Sequence, residues 1–220
     1  MLNISKIDYL LRPIPIYPLL RPVLRRAALH QWHRTQRPPA PLELKAQIIR
    51  DYATKWKLRT FVETGAFFGD MIDLLRDQFD ALITIELDSK LAAKAKQRFK
   101  DSSKVRVVEG DSGQELSKIL ATLNEPALFW LDGHYSGGVT AKGNVDTPIV
   151  AELTHLFSTK PNNHVILIDD ARLFGTAAGY PSLEQIGNLL KTHRPSWKMS
   201  IGMDIIRLEP GIEFAPMAPI

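Results

Sequence analysis

The chain has 220 residues, 45% hydrophobic and 24% charged, which suits one globular domain with a full core and a terminal appendage. The absence of cysteine excludes disulfides, thiolate zinc centres and cysteine nucleophiles, and it fits a cytoplasmic, reducing compartment. The net charge of +4 is local: residues 1–40 carry seven Lys/Arg and one acid, whereas residues 41–220 carry 21 basic and 23 acidic residues. Nucleic-acid enzymes more often place their basic patch around the site, so no nucleic-acid partner is expected.

Residues 1–41 read as a basic, Pro-rich arm and linker, and residues 42–220 as the main domain. The arm, IDYLLRPIPIYPLLRPVLRRAALHQW, has apolar stretches too short to span a bilayer and lacks the order of a signal peptide. Pro13, Pro15, Pro18 and Pro22 are expected to prevent a continuous helix before residue 22. After that, VLRRAALHQWHR predicts a basic helix. Such an arm either packs on its own domain or, through 1–40, makes peripheral contact with an acidic membrane surface or a protein partner. RPPAP at 37–41 reads as a stiff linker.

From residue 42 the pattern alternates. LELKAQIIRDYATKW predicts a helix, TFVET (60–64) a strand, and GAFFGDMIDLLRDQF a turn leading into a helix. ALITIEL (81–87) is a second strand, after which Asp88 caps a helix through SKLAAKAKQRF. KVRVVEG (104–110) is a third strand, and Ser112 with Glu115 forms a capping-box signature. ALFWLDG (127–133) is a fourth strand, followed by the Gly-rich HYSGGVTAKGN and a helix opened by Thr147-Pro148. HVILIDD (164–170) is a fifth strand, and Ser182 with Gln185 opens another helix. WKMSIGMDIIRLEP holds two strand-like runs too close for a crossover helix, so they are expected to pair antiparallel.

Each of the first five strands ends on an acid: Glu63, Glu86, Asp111, Asp132 and Asp169-Asp170. Open α/β sheets bind ligands beyond the carboxyl ends of their strands, so these acids predict one large polar ligand site. Gly65 permits a tight turn and close backbone approach, and Gly69 lets the next helix pack near the sheet. Glu86 can accept two ribose hydroxyls. Asp132, Asp169 and Asp170, on strand ends about 4.8 Å apart if adjacent, would repel unless protonated or bridged by a cation. An oxygen-only donor set suits Mg²⁺ or Ca²⁺, and such an ion would lower the pKa of an acceptor hydroxyl. His134 is a candidate general base, and Tyr135 and Arg172 are candidates for lining a substrate pocket. His155, His164 and His193 read as structural.

Five β-α units closed by a hairpin, with ETGAFFGD, LDGHYSGG and LIDDARLF, resemble the class I S-adenosylmethionine-dependent methyltransferases over roughly 42–210, and within them the macrocin O-methyltransferase type, which are metal-dependent sugar O-methyltransferases. The resemblance implies an α/β, Rossmann-like fold with a mainly parallel seven-stranded sheet, a C-terminal antiparallel hairpin and helices on both faces. It implies cofactor contacts from Glu63, Thr64, Gly65, Gly69, Glu86, Asp111, Ser112 and Asp132. Glu63 and Gly65 would lie by the methionine part and Asp111-Ser112 by adenine. The metal would sit on Asp132, Asp169 and Asp170, with His134 and Asp132 catalytic, and the acceptor would be a small-molecule or sugar hydroxyl. Phe67 departs from the family, standing where many members have glycine. Two alternatives remain open: an NAD-dependent oxidoreductase, for which Glu86 serves equally, and a non-catalytic scaffold docked through its arm.

Overall fold

A computed structural model describes residues 7, 10–12, 14, 16–133, 147–160 and 163–211. In chain order these form α1 (Tyr17–Thr35), α2 (Leu42–Trp56), β1 (Thr60–Thr64), α3 (Asp70–Leu75), β2 (Ala81–Glu86), α4 (Ser89–Arg98), β3 (Val105–Glu109) and α5 (Ser112–Leu120). There follow β4 (Ala127–Leu131), α6 (Ile149–Ser158), β5 (Val165–Ile168), a 3-10 turn (Ala171–Leu173), α7 (Leu183–His193), β6 (Lys198–Gly202) and β7 (Ile205–Glu209).

The seven strands form one sheet in the order β3-β2-β1-β4-β5-β7-β6. The first five are parallel, and β7 runs antiparallel to both β5 and β6. The closing hairpin turns at Met203 and Asp204, both left-handed with φ +53° and +64°, the geometry that matches strand twist in a two-residue turn. A plain dinucleotide fold keeps its sixth strand parallel at the edge. Here an antiparallel strand lies between β5 and β6 instead.

Period-2 alternation divides the core into two layers. Val62, Ile83, Phe129, Ile166 and Ile206 pack against α5, α6 and α7. Phe61, Leu82, Trp130, Leu167 and Ile205 pack against α2 and α3 on the opposite face. Each fully buried large side chain of this kind contributes roughly 1.5–3 kcal/mol. His164 is buried, and its Nδ1 accepts the Ala127 N–H at 3.1 Å. Burial, seconded by Arg194, lowers its pKa to about 4.

Two local expectations are corrected. The arm helix starts at Tyr17, not after residue 22: Pro18 occupies its first turn, where a missing N–H costs nothing, and the exposed Pro22 forfeits only one bond near the helix start. The cap of α5 is Asp111, whose carboxylate accepts the Gly113 N–H at 2.8 Å, so Ser112 is already helical and does not form a box with Glu115. The Asp88 cap and the Ser182/Gln185 capping box are present.

The arm's described residues are tied to the domain through Asp70, in the first turn of α3. Its carboxylate meets Arg12 at 2.7 Å, Arg21 at 2.5 Å and Arg98 of α4 at 2.8 Å, while Arg25 pairs with Glu43 at 2.9 Å. Burial would raise the Asp70 pKa, but Arg98, Arg12 and Arg21 prevail and hold it below the usual carboxylate range. Its contribution is therefore present above the unfolded carboxylate's titration and is lost as pH falls through the depressed value. Asp70→Ala leaves three guanidiniums facing one another and should cost on the order of 2 kcal/mol, given their partial exposure. Limited trypsin digestion checks this: the arm's arginines should be cut at least several-fold faster in the variant, and equal rates would refute the tether.

Candidate functional site

Because β1 to β5 are parallel, their carboxyl ends fall on one edge, and the register Thr64↔Leu131 and Leu131↔Ile168 aligns the ends of the three central strands. Glu63 is buried there, with one carboxylate oxygen accepting the Thr84 hydroxyl at 2.9 Å. Burial first, against the Thr84 bond and with help from Asp132, Glu86 and Asp70, pushes its pKa well up. A carboxyl so placed gains most from a bound cation. Thr64 is buried, and both its carbonyl and its hydroxyl accept the Asp132 N–H, at 3.1 and 3.3 Å.

The turn after β1 explains its residues. Gly65 has φ +87°, and a Cβ there would lie 2.6 Å from the Asp132 carbonyl oxygen, so both conformation and space demand glycine. Phe67 also takes a left-handed φ of +49°, the conformation glycine favours, and its N–H donates to Glu86 at 2.7 Å. The second Glu86 oxygen accepts the Asp88 N–H at 2.9 Å. Burial raises the Glu86 pKa against these amide bonds. The Leu87 amide bonds Glu86 as well, and of the about four acceptor positions of a carboxylate this leaves room for a ligand hydroxyl. A Cβ at Gly69 would lie 2.6 Å from the Phe99 ring, so its close packing is against the end of α4 and not the sheet.

Asp111 and Ser112 sit at the β3 end. Asp111 caps α5, and the buried Ser112 hydroxyl meets Glu152, a wholly buried acid on α6 that also bonds Thr64. Burial pushes Glu152 up to about 7, opposed by Ser112 and Thr64 and aided by Asp111 and Asp132. Its Oε1 has no hydrogen-bond partner among the described residues. Sequence reasoning missed Glu152, although an acid one residue before Leu153 and three after Ile149 lies on the apolar side of α6.

Asp132, Asp169 and Asp170 do converge, each with a carboxylate oxygen within 4.8 Å of the others. The cluster is not purely anionic. Lys45 of α2 reaches in from the neighbouring face, and its ammonium pairs with the Asp169 carboxylate. Burial opposes the charged lysine, yet Asp169, Asp132 and Asp170 together hold its pKa above the ordinary range. Burial also raises Asp169, and Asp132 and Asp170 add to this against Lys45. The Lys45 Nζ also lies 5.9 Å from the centre of the Trp130 ring. Arg172 bonds Asp170 of the cluster at 2.7 Å and pairs with Asp204. His134 and Tyr135 fall outside the described residues.

A cavity of about 290 Å³ opens over part of this edge. Glu63, Gly65, Trp130, Asp132 and Lys45 line its sheet side, Phe67 and Phe68 one flank, and Arg12, Leu24, Arg25 and Ala28 of the arm its roof. Pro39, Ala40 and Pro41 of RPPAP form wall. The cavity thus joins Glu63 and Asp132 with Lys45. Glu86, Asp111 and Ser112 lie along the same edge outside its lining.

No protein-family model matches the chain, and no curated protein sequence does. Solved structures do. An S-adenosylhomocysteine-bound methyltransferase of Podospora anserina, PaMTH1, shares 18% identity over 82% of this chain and 85% of its own, with a TM-score of 0.52. TomG of Streptomyces achromogenes, an O-methyltransferase of tomaymycin synthesis solved with S-adenosylmethionine, shares 18% over 80% and 81%, at 0.53. An O-methyltransferase of Bacillus cereus in complex with S-adenosylhomocysteine shares 17% over 94% and 97%, at 0.53. At these identities the likeness shows the fold, which is the Rossmann-like class I methyltransferase fold.

Gly65→Ala tests the turn without any ligand. The left-handed φ and the Asp132 carbonyl both oppose a methyl group, so the variant should lose about 2 kcal/mol or more. Urea unfolding reads this as a lower midpoint at unchanged slope. An unchanged midpoint would contradict the close approach of Gly65 and Asp132.

Proposed function

We propose that the chain is an S-adenosylmethionine-dependent O-methyltransferase acting on a small-molecule or sugar hydroxyl. The observation that carries this reading is the buried Glu63 carboxyl at the Gly65 turn, facing a cavity it shares with Asp132 and Lys45. S-Adenosylmethionine supplies a methyl group already activated on a sulfonium, so the protein's task is alignment and proton management. Glu63 meets the amino acid ammonium, and Glu86 accepts the ribose hydroxyls. Asp111, with Ser112 beside it, marks the adenine end of the edge. The solved neighbours named above were crystallised with this cofactor or its demethylated product, which supports the choice of cofactor.

The donors of Asp132, Asp169 and Asp170 suit a hard cation by type and spacing. They do not suit one while Lys45 lies on Asp169, because an ammonium and a divalent ion on one carboxylate repel. In our reading Lys45 is the cation of the site. It offsets the charge of Asp169, as Arg172 does that of Asp170, and offers N–H donors toward the oxygen of the acceptor, where developing charge is stabilised by a donor already in place. Asp132 lines the cavity and is positioned to receive the hydroxyl proton, with His134 two residues beyond as the second candidate.

Calorimetric titration of the purified protein with S-adenosylmethionine or S-adenosylhomocysteine tests the cofactor. Saturable binding is expected, weakened about tenfold or more in Glu63→Gln, which loses a charge-assisted contact. No saturable binding of either compound would sink the proposal. The Lys45 role is read by Mn²⁺ binding in electron paramagnetic resonance. Wild type should show no saturable site, Lys45→Ala should acquire one, and methyl transfer by wild type should survive EDTA. A stoichiometric Mn²⁺ site in wild type, lost in Asp169→Asn, would return the cluster to a metal.

A further inference from the structure

Helix α1 turns two of its arginines inward and an apolar stripe outward, beside an inner face that also carries Leu24, Ala28 and the buried Trp32. Surface helices normally turn apolar side chains to the protein and charged ones to water. Here Arg21 and Arg25 face inward to Asp70 and Glu43, whereas Ile16, Leu19 and Val23 face outward, at the i, i+3, i+7 spacing of one helical stripe. Leu19 is 79% exposed and Val23 65%, and Leu10, just before the helix, is 70% exposed. Of the nine large hydrophobic residues exposed among the described residues, five lie between 10 and 23. Such a concentrated apolar patch calls for a partner.

The stripe continues, with the same spacing, into Arg26, His30, His33 and Arg34, all exposed, and Arg37 is exposed just beyond the helix. No acid occurs between Asp8 and Glu43. The outer face is therefore apolar at one end and cationic at the other, without a counter-charge of its own. No helix among the described residues is long and apolar enough to cross a membrane, so a membrane contact of this face is a peripheral one.

We propose that the outer face of α1, with Leu10 and Ile14 ahead of it, docks on an anionic lipid surface. Ile16, Leu19 and Val23 enter the headgroup boundary, and Arg26, Arg34 and Arg37 meet lipid phosphates. A second copy of the chain is a poor occupant. Parallel pairing sets arginine against arginine, and antiparallel pairing sets the apolar half against the cationic half. The inner face of the same helix roofs the cavity through Leu24, Arg25 and Ala28, so docking holds the cavity beside the lipid surface. The inference stands on exposure and charge and is independent of the reaction proposed above.

Co-sedimentation of the full chain with vesicles tests it, comparing phosphatidylcholine alone with phosphatidylcholine mixed with phosphatidylglycerol. Half-sedimentation is expected at least about tenfold lower in lipid for the anionic vesicles, through the attraction of Arg26, Arg34 and Arg37 to lipid phosphates. Added salt should weaken it. The pair Leu19→Glu and Val23→Glu should abolish sedimentation, and Arg26→Glu with Arg34→Glu should abolish the preference for anionic lipid. Wild type that stays in the supernatant, or binds both vesicles equally, overturns the proposal whatever the variants do. So does a concentration-dependent dimer in analytical ultracentrifugation that dissociates in the Leu19→Glu, Val23→Glu variant.

Discussion

Five parallel strands ending on one edge create the constraint on which the rest of this molecule depends. Parallel pairing brings Glu63, Glu86, Asp132, Asp169 and Asp170 to one rim, and several of these acids are buried. Like charges in a poorly solvated rim repel, and each must be hydrogen-bonded, protonated or matched by a cation. The molecule uses all three routes. Backbone amides meet Glu86, burial favours the neutral form of Glu63 and Glu152, and the Lys45 ammonium meets the aspartate cluster.

The same balance organises the periphery. Asp70 is the acid at which the arm, α3 and α4 meet, through guanidiniums from Arg12, Arg21 and Arg98. With Arg12, Arg21 and Arg25 turned inward, Leu10, Ile14, Ile16, Leu19 and Val23 stay outward, while Leu24, Ala28 and Trp32 face the domain. One set of ion pairs thus closes the cavity from above and exposes a face on the other side of the helix. Pro39, Ala40 and Pro41 take part as cavity wall, a closer role than the spacer suggested by the prolines of RPPAP.

Much of the fold was legible because its signals are local. Strand runs such as VILI, the Asp88 cap and the Ser182/Gln185 box each depend on neighbours within a few residues. The hairpin followed from the short spacing between its strands. Lys45 was not legible as a site residue, because its partner Asp169 is 124 residues away in sequence. Its only local mark is a lysine sharing a helix face with Ile48 and Ile49, both buried. Glu152 escaped for the same reason, as an acid among the apolar positions of α6. In the arm, Pro22 does not break the helix, because its exposed place near the helix start costs only one backbone bond, which its sequence neighbourhood does not reveal. Asp111 and Ser112 exchanged capping roles by one residue, a shift that motif spacing cannot resolve.

The central claim is that this edge binds S-adenosylmethionine beside a lysine that holds the place of a metal. A crystal structure with S-adenosylhomocysteine and MnCl₂, phased to reveal manganese by anomalous scattering, tests it most directly. The account predicts the homocysteine ammonium on Glu63, the ribose hydroxyls on Glu86, Lys45 still paired with Asp169, and no manganese peak between the aspartates. A manganese ion held by Asp132, Asp169 and Asp170 with Lys45 displaced, or a nucleoside bound away from Glu63 and Glu86, would contradict it.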